Sequence, residues 1–171
     1  ILLDADDVIM ESLKRVGADV NRYRVVQPRR AYTPPPAQEK LDPDQISELR
    51  LRTLLENAAP DRPVWRALVD GVRGISPLLG RELAFRACGR ADCPVGEIAK
   101  IGPLLRAFDE IYRAETRGEW APSVAFQDGQ VAAFAPYVLT HLSTCEPVES
   151  VSLAIERYMT AQTTRDPYAA A

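Results

Sequence analysis

The stretch Val72-Arg73-Gly74-Ile75-Ser76-Pro77-Leu78-Leu79-Gly80-Arg81-Glu82-Leu83 decides how this sequence is read. Apolar residues recur at helical spacing on both sides of Gly74, so two short helices meet at a tight turn and form a hairpin. Ser76 followed by Pro77 is a helix start: a hydroxyl to cap the first turn, then a residue with no N–H to lose. Gly74 is free to take a left-handed backbone. Turns of this kind let backbone N–H groups at the head of the second helix approach a phosphate, where the helix dipole also favours negative charge. A plain structural hairpin with Ile75 plugged into the core uses the same residues. Ser76 occupies the place of a second glycine, and Pro77 removes one donor, so both readings stay open at this point.

Outward from the turn, the start signal repeats. Asp61 with Pro63 opens a helix with Val64, Leu68, Val69 and Val72 inward, and Asp42-Pro43 opens one with Ile46, Leu49, Leu51, Leu54 and Leu55. Leu78, Leu79, Leu83 and Phe85 give the inward face of the helix after the turn. A longer helix is predicted over Ile101–Thr116, stopped by Gly118. Upstream, apolar runs around Asp6-Asp7 predict a β-hairpin, Arg22–Val26 a third strand, and Pro34-Pro35-Pro36 an extended boundary. Downstream, Asp128-Gly129 predicts a hairpin, Tyr137–Leu142 a further strand, and Ser150–Gln162 a closing helix. Strands, helices, strands and helix in that order make an α+β protein, with a helical module set among strands from both ends.

The chain has 171 residues and a net charge of -3, which argues against a generally DNA- or RNA-coating protein but not against local patches. Between residues 61 and 90 six arginines face three acids. Arg22, Arg24, Arg29 and Arg30 fall in nine residues without an acid. Alternation places Arg22 and Arg24 on one strand face, a stripe that suits RNA backbone contact as well as a solvated face. The candidate RNA-binding residues are therefore Arg22, Arg24, Arg29, Arg30, Arg73, Gly74, Ser76 and Arg81.

No catalytic motif is legible. His141 is alone and reads as a structural or surface residue, not a base. Cys88, Cys93 and Cys145 lack metal-ligand spacing and read as free thiols. Asp4, Asp6 and Asp7 suit a turn better than a metal. No cofactor, metal or enzymatic activity is expected. No apolar run reaches the length of a membrane span and no signal peptide is visible, so the expectation is an intracellular, cytoplasmic protein with no membrane partner. The opening Ile1-Leu2-Leu3 and the closing Asp166-Pro167-Tyr168 with three alanines read as cuts from a longer chain.

The blocks ILLDADDVIMESLKRV (1–16), NRYRVVQPRRAYTPPPAQEKLDP (21–43), GISPLLGRELAFRA (74–87) and IERYM (155–159) stand in the order of the NFACT family. The chain resembles the N-terminal region of that family, first labelled fibronectin-binding protein A in bacteria and including RqcH-type ribosome quality-control factors. Its most specific parts are Asn21-x-Tyr23-Arg24, Tyr32-x-Pro34-Pro35 with Gln38 and Lys40, and Gly74-x-Ser76-Pro77. The resemblance implies a split, β-rich NFACT-N-type domain, related in fold to the N-terminal domain of certain DNA glycosylases, with an inserted helix-hairpin-helix module. That layout divides the chain into 1–41, 42–118 and 119–165.

The implied partners are the large ribosomal subunit with stalled peptidyl-tRNA, tRNA and rRNA. The implied role is recruitment of aminoacyl-tRNA for alanine tailing, with peptide transfer left to the ribosome. A coiled coil is expected downstream. The family's Asp-Arg motif for tRNA recruitment would lie upstream of residue 1. Pro28-Arg29-Arg30-Ala31 departs from the family's usual Pro-Gly, so no tRNA-recruiting residue is assigned. The old family label gives the alternative, a surface adhesin that binds fibronectin.

Overall fold

The computed structural model describes residues 1–163 and divides the chain into two compact units, Ile1–Glu39 and Lys40 onward. The closing stretch at Asp166-Pro167-Tyr168 and the last two residues of the 119–165 segment lie outside the described residues.

In the first unit, β1 (Leu2–Leu3) pairs antiparallel with β2 (Ile9–Glu11). The Asp4 carboxylate closes the turn between them by accepting from the N–H groups of Asp6 and Val8, and Asp7 takes a positive φ. The expected third strand at Arg22–Val26 does not form. Asn21 Oδ1 accepts from both Tyr23 N and Arg24 N at 3.0 Å, a local turn that competes with extended pairing. Only Val26 reaches a partner, Val16, in an isolated bridge. The free edge of β2 is met instead by residues 29–31, with Arg29 N donating to Ile9 O and Ile9 N to Arg30 O, both at 2.8 Å. Ile9 and Val26 are the buried residues of this unit.

The second unit holds α1 (Glu48–Glu56), α2 (Val64–Gly71), α3 (Pro77–Cys88) and α4 (Gly102–Arg117), then β3 (Ser123–Gln127), β4 (Gln130–Ala135), β5 (Thr144–Pro147) and α5 (Val151–Thr163). Asp42-Pro43 starts a short 3-10 turn, Pro43–Gln45, and α1 begins only after Ser47, whose side chain accepts from Arg50 N. Pro63, not Asp61, precedes α2, and no side chain caps that end. One helical core gathers Leu51, Leu55, Leu68, Val72, Ile75, Leu83, Leu104, Phe108 and Ile111.

The sheet has the order β4-β3-β5, all antiparallel. Asp128 and Gly129 both have positive φ, as a two-residue hairpin turn requires, and the hairpin stands where its sequence placed it. The third strand is Thr144–Pro147 and not Tyr137–Leu142. In 137–141 the backbone is bonded to side chains: Ser123 Oγ binds Tyr137 O and Leu139 N, and the Glu82 carboxylate takes the N–H of Thr140 and of His141. With those groups claimed by side chains, the segment cannot offer a regular ladder. The α+β class is observed.

Candidate nucleic-acid interface

The α2–α3 connection runs from Val72 to Ser76, and its two faces do different things. Val72 and Ile75 are buried in the helical core, so the inward half is a plug. Leu41 pairs with Val72 in a parallel bridge and accepts from Arg73 N at 2.9 Å, which fixes the turn from outside the hairpin. Lys40 Nζ donates to Val69 O at 3.0 Å and so caps the end of α2. Gly74 has φ +77°, is exposed, and a Cβ added there would meet nothing within 4 Å. Ser76 Oγ accepts from Leu79 N at 3.2 Å and opens α3. The turn is thus apolar on its inner side, at Val72 and Ile75, and open on its outer side, at Gly74.

Because the room beside Gly74 is free, a substitution there is strained only by its backbone. Gly74→Ala is expected to cost about 1–2 kcal/mol, read as a lowered midpoint in urea, with the helical content retained.

The arginines of residues 61–90 sort into two groups. Arg62 pairs with Asp70, Arg90 with Glu97, Arg73 with Asp42 at 3.3 Å, and Arg86 with Glu82 and Glu110. Asp42, Glu97 and Glu110 come from outside the window, so the local excess read from sequence is largely neutralised. Arg66 and Arg81 differ. Their guanidinium carbons lie 5.0 and 4.4 Å from the centroid of one indole ring, Trp65, and among the described residues neither forms an ion pair. The indole is itself anchored, Nε1 donating to Asp92 Oδ1 at 3.0 Å. Stacking on an aromatic face holds a guanidinium in place while leaving its N–H edge available, the geometry that suits a phosphate.

Gly80 makes this possible. A Cβ there would stand 2.9 Å from the Trp65 carbonyl oxygen, so α3 can approach α2 this closely only without a side chain. Sequence reasoning missed Trp65 and Arg66. The available signal was Trp65-Arg66 on one helix of a hairpin with Gly80-Arg81 on the other.

The basic residues of the first unit do not form a stripe. Arg24 is half-buried, its Nε donating to Thr33 O at 2.9 Å and its guanidinium 5.5 Å from the centre of the Tyr32 ring. Arg22, Arg29 and Arg30 are exposed, and Arg29 takes φ 63°. The expected sharing of one strand face by Arg22 and Arg24 is corrected by the turn that Asn21 imposes.

Behind α3 lies a buried polar cluster that the sequence did not announce. Glu82 is fully buried, and its carboxylate accepts from Arg86 Nε (2.7 Å), Thr140 Oγ1 (2.7 Å), Thr140 N (2.8 Å), His141 N (3.2 Å) and His141 Nδ1 (2.7 Å). Arg86 also donates to Val138 O at 2.8 Å and pairs with Glu110. Burial pushes the Glu82 carboxyl up, but the hydrogen bonds from His141, Arg86 and Thr140 outweigh it and hold the group down at about 2. His141 is thereby committed to orienting a carboxylate. The thiols of Cys88, Cys93 and Cys145 are free, and burial pushes Cys88 up to about 12, which leaves it an unreactive thiol.

The comparisons with known proteins agree with this architecture. The family model described as NFACT N-terminal and middle domains matches residues 1–170. The Rqc2 homolog RqcH of Bacillus subtilis (strain 168) is 30% identical over 171 residues, covering 97% of this chain and 27% of that protein. The chain therefore spans about a quarter of the length of that curated relative. Among solved structures, the fibrinogen binding protein from Staphylococcus aureus is similar with a TM-score of 0.66 at 23% identity, over 91% of this chain and 53% of that one. This last likeness concerns the fold, and it is the same α+β arrangement. On the match over 170 consecutive residues, the chain belongs to the NFACT family, as a stretch of its N-terminal and middle domains.

Proposed function

We propose that this chain is the RNA-facing part of a ribosome quality-control factor of the RqcH type. The full-length protein would bind large ribosomal subunits that carry stalled peptidyl-tRNA and recruit aminoacyl-tRNA for C-terminal alanine tailing. In this reading the chain acts in the cytoplasm as a platform with no catalytic residue of its own. The observation that carries it is family membership along the whole chain, at 30% identity to the Rqc2 homolog RqcH.

The α2–turn–α3 hairpin is read as a helix-hairpin-helix module. Gly74 and the head of α3 would meet one phosphate, and Arg66 and Arg81 on Trp65 the next. Two phosphate contacts fit the chain's charge: an interface made of a few placed cations works on a protein whose net charge is -3.

Two experiments test the reading. Full-length protein is expected to co-sediment with large subunits carrying peptidyl-tRNA and to lose that association as salt rises. Failure to co-sediment at low salt overturns it. Arg73→Glu with Arg81→Glu is expected to weaken RNA binding about tenfold or more while changing stability by about 1 kcal/mol, the worth of one exposed ion pair and one cation–π contact. Unchanged binding in that variant would leave the hairpin purely structural.

The competing reading, a fibronectin-binding surface adhesin, draws on the family's old label and on the likeness in fold to the staphylococcal fibrinogen binding protein. Fractionation separates the two, since an adhesin is confined to the cell surface.

A further inference from the structure

Resting on the RNA reading of the hairpin, we propose that the α2–α3 turn carries a pocket for one unstacked nucleobase, so that the module prefers single-stranded to duplex RNA. A cavity of about 250 Å³ opens directly beside the turn. Gly74 itself is part of its wall, and Tyr112, Trp120 and Tyr137 supply aromatic surface among smaller apolar residues that include Leu79 and Pro136.

Three observations select the occupant. The volume matches a single planar ring system. Trp120 is half exposed, a large apolar ring turned to solvent at the cavity instead of sunk into the core. Gly74 joins the cavity to the turn, where its positive φ and the open space around it leave the backbone accessible. A nucleotide meets all three conditions at once: its phosphate lies on the backbone of the turn and its base passes into the aromatic pocket. Every base presents a π-face, so such a pocket stacks without reading sequence. A duplex keeps its bases stacked internally and offers the pocket nothing.

The pocket is built from distant parts of the second unit. Tyr112 is on α4, held by stacking on Phe108 at 5.8 Å between centroids, while Trp120 lies between α4 and β3, and Tyr137 just beyond β4. Phe108 is buried in the helical core, which makes the Tyr112 wall rigid.

The test compares the whole chain with Trp120→Ala and Trp120→Phe, each titrated with a short single-stranded RNA, a blunt duplex of the same sequence, and the single strand carrying abasic positions. The wild-type chain is expected to favour the intact single strand. Trp120→Ala should weaken that binding about tenfold, the loss of one stacked base, with Trp120→Phe restoring most of it. Duplex and abasic binding should be the same for all three proteins. Equal affinity of wild type for single strand and duplex, or an unchanged affinity in Trp120→Ala, overturns the pocket while the hairpin's phosphate contacts stand. A parallel loss on every RNA with a lowered melting temperature also overturns it, as a structural effect. If the wild-type chain binds none of the three RNAs, the RNA reading of the hairpin falls and the pocket with it.

Discussion

Replacing Glu82 by Gln is expected to destabilise the second unit by about 3 kcal/mol, and by Ala somewhat more. The carboxylate is fully buried and accepts five hydrogen bonds from Arg86, Thr140 and His141. An amide keeps the shape but turns an N–H₂ into a site where the Arg86 guanidinium and the backbone N–H groups of Thr140 and His141 can only donate, and it leaves the Arg86 charge, largely out of water, with only the exposed Glu110 to face. Breaking one partner of a buried ionic cluster costs about 3–5 kcal/mol for that reason. Glu110→Gln is the control. It removes the exposed arm of the same cluster and should cost less than about 1 kcal/mol. Urea midpoints at neutral pH measure both.

The same group sets an acid limit. Its folded pKa is held below the ordinary value of 4.5, at about 2, so the unfolded chain takes up a proton first as pH falls. The stabilisation is complete above about pH 4.5 and is lost progressively as pH drops toward 2. Over that window the linkage amounts to about 3 kcal/mol. In Glu82→Gln this acid-dependent slope should be largely flattened, since the principal shifted carboxyl is gone.

Gly80→Val is expected to cost about 3 kcal/mol, the upper end of overpacking, although glycine in a helix interior is ordinarily a poor choice. The first added carbon alone would lie 2.9 Å from the Trp65 carbonyl oxygen and 3.2 Å from its Cβ. A backbone oxygen in a helix does not swing aside as a side-chain tip does, so α3 must move off α2. That motion also takes Arg81 away from the indole. RNA affinity should therefore fall together with the melting temperature in this variant, whereas Gly74→Ala perturbs neither the Arg81 contact nor the core. A Gly80→Val protein with wild-type stability would show that the close approach of α2 and α3 is not needed.

Local chemistry explains what was legible in the sequence. Ser76-Pro77 and Asp128-Gly129 act through their own backbones, and both stand where the sequence placed them. The helical stripes were legible where a helix has one buried face, as α4 does. They misled in α3, whose Gly80, Glu82, Leu83 and Ala84 are buried while Leu78, Leu79 and Phe85 are only half-buried. α3 is packed against α2 and α4 and is bonded to the segment before β5, so no single stripe describes it.

The strands expected at 22–26 and 137–142 failed for one shared reason. Side-chain oxygens of Asn21, Ser123 and Glu82 claim backbone groups that a strand would need, and period-2 alternation carries no trace of that competition. At the candidate interface, Arg73 and Gly74 were visible as residues of a turn. Arg66 and Trp65 were not, because their role depends on the register of one helix against another.

The Glu82 cluster also bears on portability. The stretch from residue 42 to 118 looks like a cassette, a few helices around a hairpin that could be moved into another protein. Its central helix nevertheless keeps a buried anion whose amide, hydroxyl and imidazole donors come from Thr140 and His141, beyond the cassette's end. Cut out, it would carry a carboxylate stripped of most of its donors. A graft that preserves the hairpin must carry the strands with it, or neutralise Glu82 and Arg86 together.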